Sequence, residues 1–239
     1  MRVYAAGTAS LQRSEQEEAS NFLYVLESFF YFKNWQKQFL KSSFMLDSGA
    51  FTFMNSGREV AEISGYVNRY INFINENDVK LFYELDIDVI VGLAEVEKIR
   101  EKLECETGKK CIPVWHKQRG LQYWKDITHD YNYVAIGGIV VKNIKQTEWE
   151  IFNPLIQIAH KNKCQVHGLG MGNMEAIRKY PFDSVDSTGW AEHRFNKLRI
   201  FENGILKMWK KKGVVKRHEA IIHNINEMIK FQEYAEKYY

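Results

Sequence analysis

Short apolar runs alternate with longer amphipathic stretches along the chain. Arg2–Ala6, Phe44–Asp47, Leu81–Asp86, Cys111–His116, Tyr133–Val140, Gln165–Gly170 and Phe182–Ser187 are each brief and rich in Val, Ile, Tyr or Phe. Runs of that kind read as strands buried on both faces, as parallel strands are. Between them the spacing predicts helices over Glu18–Leu40, Val60–Asn75, Glu95–Glu104, Leu121–Thr128, Thr147–Lys161 and Met174–Lys179, with a last one over about His218–Tyr238. An eighth strand is expected near Ile205–Met208. Eight strands, each with a crossover helix, predict an α/β fold of the (β/α)8 TIM-barrel type, with residues 1–239 as one domain. The chain length of 239 residues fits that barrel. A doubly wound open sheet is the competing architecture, but no Gly-rich phosphate fingerprint follows the first strand.

The polar residues interrupt this pattern at informative places. Asp47, Asp86, His116, Gly137–Gly138, Gly168–Gly170 and Asp186 all fall at or just past the C-terminal end of an expected strand. In a barrel that is the face where active sites are built. Asp183 and Asp186 lie three apart on one strand, so they point to opposite faces and at most one of them faces the centre. Two carboxylates facing each other over a sugar suit chemistry at an anomeric carbon, one attacking C1′ and the other moving protons.

Composition narrows the class without naming it. Hydrophobic residues at 45% and charged residues at 26% are ordinary for a globular chain and exclude a disordered or fibrous one. A formal charge of +3 is too small to argue for nucleic acid by itself. Local charge says more: Lys207–Arg217 reads KMWKKKGVVKR, with Lys207, Lys210, Lys211, Lys212, Lys216 and Arg217 around Trp209. Such a run is a solvated face or a track for a phosphate backbone. Cys105, Cys111 and Cys164 have neither CxxC spacing nor a disulfide framework, which points to reduced thiols. No signal-peptide core or ~20-residue apolar span is evident, so a cytoplasmic protein without a membrane partner is expected.

Four segments carry a resemblance. LDSGAF (from Leu46) resembles the DSGG(F/Y)Q segment of the tRNA-guanine transglycosylase (queuine tRNA-ribosyltransferase) superfamily, and YVAIGGI (from Tyr133) resembles its AIGGL strand. HGLGMGN (from His167) is similar to the family's LMGVG segment, and FDSVDST (from Phe182) to its D-x-F-D-(C/S) strand. They stand in the family's order and run from Asp47 to Thr188.

The resemblance implies Asp186 as nucleophile, with Asp183 as the competing register, and Asp47 as general acid/base. It implies Ser48 beside the base and Asp86 as the base-recognising carboxylate, with Asp88 competing for that role. Gly137, Gly138, Leu169 and Gly170 would line or pack on the base, and His116 stands near the family's glutamine. The family's CxCxxC…H zinc site is matched here only by His223–Asn224, and one histidine does not hold structural zinc. A compact barrel without that subdomain looks like the phage and bacterial relatives that insert 7-deazaguanines into DNA. The resemblance therefore implies exchange of guanine in DNA for a 7-deazaguanine, with no cofactor and with Lys207–Arg217 on the backbone. A tRNA-directed transglycosylase, a hydrolytic glycosidase and a non-catalytic nucleic-acid-binding barrel are the alternatives.

Overall fold

The computed structural model describes residues 1–41, 43–57, 59–193 and 197–239. Eight strands form one parallel sheet: β1 (Arg2–Ala6), β2 (Tyr24–Ser28), β3 (Ser43–Asp47), β4 (Leu81–Phe82), β5 (Val114–Trp115), β6 (Tyr133–Ile136), β7 (Gln165–Gly168) and β8 (Ser184–Ser187). Their order is β4-β3-β2-β1-β8-β7-β6-β5. The sheet curls until its edge strands approach. Among the described residues they meet through a parallel bridge between Tyr83 and Ile112 rather than through a regular ladder. The Ile112 amide donates to the Phe82 carbonyl at 2.8 Å, and the Glu84 amide to the Ile112 carbonyl at 3.1 Å. The architecture is thus α/β with a barrel-like curled sheet whose β4–β5 seam is minimal.

Alternation along the strands builds two apolar layers. Tyr4, Ala6, Tyr24, Leu26, Met45, Tyr83, Val114, Tyr133 and Ala135 pack together inside the curl. Val3, Ala5, Val25, Phe44, Leu46, Val134, Ile136, Val166 and Val185 belong to the larger cluster formed with the helices. Successive strand residues point to opposite faces, so a continuous apolar run feeds both layers.

The helices among the described residues are α1 (Arg13–Ala19), α2 (Ala50–Asn55), α3 (Ile63–Glu76), α4 (Asp88–Val91), α5 (Leu93–Thr107), α6 (Gly120–Asp130), α7 (Phe152–Lys161), α8 (Met174–Lys179) and α9 (Arg217–Tyr238). The last of these is tied to the sheet by buried Gln232. Its amide donates to the carbonyls of Val3 and Tyr24 at 2.8 and 2.7 Å and accepts from the Leu23 amide at 3.0 Å. No helix among the described residues is long and apolar enough to cross a membrane.

Two sequence expectations are corrected. The helix expected over Glu18–Leu40 is instead the end of α1, strand β2 and 3-10 turns over Phe29–Tyr31 and Asn34–Lys41. Glu27 lies buried within β2, where its carboxylate accepts the Thr8 amide. A charge inside the run breaks its apolar continuity and mimics a helical period. The eighth strand is therefore β2, and not the segment near Ile205–Met208. That segment belongs to β10 (Ile205–Lys210), which pairs antiparallel with β9 (Lys197–Glu202) outside the main sheet. Asn203 and Gly204 join them with φ of 52° and 78°. Two consecutive positive φ values define the type I′ turn that suits a two-residue hairpin.

Candidate active site

The C-terminal ends of the strands surround a cavity of about 410 Å³. Asp47, Ser48, Asp86, Asp88, His116, Gly138 and Leu169 line it. Phe51, Val89, Val140 and Val141 also face it and are largely exposed, giving the mouth an apolar rim.

Asp47 ends β3 at the turn into α2. Its Oδ2 accepts the Gly49 amide at 3.2 Å. Burial pushes its pKa up to about 7, the negative charges of Asp86 and Asp186 add to that, and the Gly49 hydrogen bond opposes it. Desolvation disfavours the charged form, and nearby like charges do the same. Ser48 is occupied locally: its Oγ accepts the Ala50 amide at 3.4 Å, and its carbonyl accepts the Tyr66 hydroxyl at 2.5 Å. It shapes the turn.

Asp86 is held from one side by His116, whose Nε2 lies 2.7 and 2.8 Å from its two oxygens. Arg119 reaches it at 3.5 Å, while donating to Asp88 at 2.8 Å and to buried Glu84 at 2.8 Å. Arg100 meets the other Glu84 oxygen at 3.0 Å. Desolvation lowers the Arg119 pKa, but Glu84 and Asp88 outweigh it and hold the guanidinium above its ordinary value. Asp88 is thus committed to Arg119. Among the described residues, His116 Nδ1 is buried without a hydrogen-bond partner, although the ring lines the cavity. Gly137 packs against that ring: a Cβ there would lie 2.7 Å from His116 Cε1 and 2.8 Å from Val114 Cγ1. Gly137 makes room for the histidine, whereas Gly138 forms cavity wall.

Asp186 sits in β8, 6% exposed. Its Oδ1 accepts the Gly170 amide at 2.5 Å and faces His167 Nε2 at 3.1 Å. Asp183 lies before the strand and is engaged elsewhere, with His160 Nε2 at 2.9 Å and the Val166 amide at 2.7 Å. The two aspartates are separated as strand parity requires, and Asp186 shares the sheet interior with Ser184.

The basic segment begins in β10. Lys207 pairs with Glu202 at 3.0 Å, and Arg217 pairs with buried Glu15. Arg217 therefore anchors α9 to α1. Lys210, Lys211, Lys212 and Lys216 are exposed, as is Trp209 at 45%. His223 Nε2 donates to the Arg199 carbonyl at 2.8 Å, and Asn224 binds the Arg199 amide and the Glu192 carbonyl. This pair fastens β9 to α9. Among the described residues, no group of three or more His, Cys, Asp or Glu is placed to hold a metal ion.

Behind Asp186 stand His167, Ser184 and Tyr133, and behind Asp86 stand Glu84, Arg100 and Arg119, none of them expected from the sequence. Strand parity places Ser184 on the Asp186 face and was a usable signal. The arginines lie on α5 and just before α6, and nothing local in sequence ties them to Glu84. No protein-family model and no curated protein matches the chain.

Proposed function

We propose that the curled sheet works as a (β/α)8 barrel enzyme that replaces guanine in DNA with a 7-deazaguanine through a covalent aspartyl-glycosyl intermediate. The observation that carries this reading is the pair of unlike carboxylates at one end of the sheet. Asp47 has a pKa near 7, and Asp186 has one oxygen fully occupied by two donors. A carboxyl held near neutrality, together with a second carboxylate whose one oxygen is tied up in hydrogen bonds, is the equipment of acid–base and nucleophilic work at a glycosidic carbon.

The other oxygen of Asp186 attacks C1′ of a deoxyguanosine, and the C1′–N9 bond breaks. Asp47 delivers its proton to the departing guanine, leaving the strand joined to Asp186 as an ester. A 7-deazaguanine then enters, gives its N9 proton to Asp47 and attacks C1′, which expels the Asp186 carboxylate. Two inversions give net retention. Asp47 must be acid in one half and base in the other, and a pKa near neutrality serves both. Asp86 presents His116 to the base edge, with Gly138 and Leu169 on its faces. No redox or phosphate cofactor is required, because one glycosidic bond replaces another.

The guanine must leave its stack, at a cost of a few kcal/mol in a duplex. Lys210, Lys211, Lys212 and Lys216 supply backbone contacts, with Trp209 beside them. The test is exchange of radiolabelled guanine into DNA and tRNA in parallel. Labelling of DNA above tRNA is expected. Labelling of tRNA alone would move the substrate to tRNA, and labelling of neither would leave a binding protein.

A further inference from the structure

The groups behind Asp186 form a chain whose hydrogen-bond direction can be worked out. His167 is fully buried, with Nε2 3.1 Å from Asp186 Oδ1 and Nδ1 2.5 Å from Ser184 Oγ. Ser184 Oγ in turn meets the Tyr133 hydroxyl. The rings of Tyr4 and Tyr83 stand edge-on to the imidazole, with centroids 5.9 and 5.8 Å away, and fix its plane.

A neutral imidazole donates from one nitrogen and accepts at the other. An ionised Asp186 can only accept, so Nε2 carries the hydrogen and Nδ1 is left as acceptor. Ser184 must then donate to Nδ1, and its oxygen accepts from Tyr133. The opposite direction would set the Nε2 lone pair against a carboxylate oxygen. Every polar group in the chain is satisfied in one arrangement only.

We propose that His167 is the positioning residue for Asp186. Locked as the Nε2–H tautomer by Ser184 and Tyr133, it holds Oδ1 together with the Gly170 amide and leaves Oδ2 as the attacking atom. This rests on the reading of Asp186 as nucleophile. The same two donors stabilise the carboxylate when the ester breaks, so they act on departure from Asp186 as well as on attack.

The test compares His167→Leu, which removes the donor, with His167→Gln, whose amide can supply one near the Nε2 position. His167→Leu is expected to lower kcat ~100-fold with KM little changed, as loss of one preorganised donor does. His167→Gln is expected to recover most of that loss. Nitrogen-15 NMR of the neutral imidazole in the wild-type protein, without substrate, should report the Nε2–H tautomer of His167. Ser184→Ala, a smaller change, should weaken that tautomer signal and lower kcat to an intermediate value. Equal activity in the Leu and Gln variants, an Nδ1–H tautomer or an unaffected Ser184→Ala would overturn the proposal. If Asp186→Asn keeps full exchange activity, the reading of Asp186 fails. If Asp186→Asn is inactive while His167→Leu is unimpaired, only the positioning role fails.

Discussion

Replacing Asp47 by Asn should make the protein more stable and inactive at once, by an amount that depends on pH. In an unfolded chain this carboxyl titrates near 3.8, whereas in the folded protein burial and the charges of Asp86 and Asp186 raise it to about 7. Between those values the folded state binds a proton that the unfolded state has released. Stability from this group is therefore complete below about pH 4 and is lost as pH rises through about 7. At ~1.4 kcal/mol per unit, the ceiling on that loss is on the order of 4 kcal/mol. Partial hydration of the cavity lowers it, and about 2 kcal/mol is a working value. Asn carries no charge, and its Oδ1 can still accept the Gly49 amide. Thermal melts of both proteins from pH 4.5 to 8.5 should show curves that nearly coincide at the acid end. By pH 8 the variant should melt higher by ~4–8 °C, given ~2–4 °C per kcal/mol for a chain of this size. Base exchange should fall by a factor of about 100 to 10,000 when the acid/base group is removed. A difference in melting temperature that is constant across pH, or a less stable variant at pH 8, would show that burial does not strain this carboxylate.

Three further perturbations probe the supports of the site. Glu84→Gln leaves the buried guanidinium groups of Arg100 and Arg119 without their shared carboxylate, and should cost about 3–5 kcal/mol in urea denaturation. Gly137→Ala puts a Cβ 2.7 Å from His116 Cε1. It should cost about 1–3 kcal/mol of stability by overpacking and weaken guanine binding in calorimetry by pushing His116 off Asp86. Joint replacement of Lys210, Lys211 and Lys212 by Ala should weaken DNA binding equally at all sequences. Each lost phosphate contact should remove about one unit from the log–log salt slope, measured by fluorescence anisotropy.

Most of the sheet was legible because its strands are buried on both faces and stand out as short apolar runs. Helix α8 falls at Met174–Lys179 as the spacing indicates. Strand β2 was hidden by Glu27, whose charge is stabilised by Thr8, a partner nineteen residues away. The β9–β10 hairpin carried its own signal in Asn203–Gly204, which marks a tight reversal more firmly than the apolar run at Ile205–Met208 marks a barrel strand. The positions of Asp47, Asp86, His116 and Asp186 at strand ends were readable from the alternation of runs. Their partners were not. The His167, Ser184 and Tyr133 chain joins three strands, and Tyr133 and Ser184 are fifty-one positions apart. Likewise, Glu84 meets Arg119 only when β4 and β5 come together at the seam. Such networks arise from the curl of the sheet and leave little periodic trace.

In the proposed reaction, Asp186 forms the bond to the sugar. Single-stranded DNA containing guanine should be incubated with the protein, denatured and digested, and the peptides examined by mass spectrometry for an attached nucleotide. A hydroxylamine-labile adduct is expected on Asp186, present in Asp183→Ala and missing from Asp186→Asn. An adduct carried by Asp183, or exchange that persists in Asp186→Asn, would contradict it.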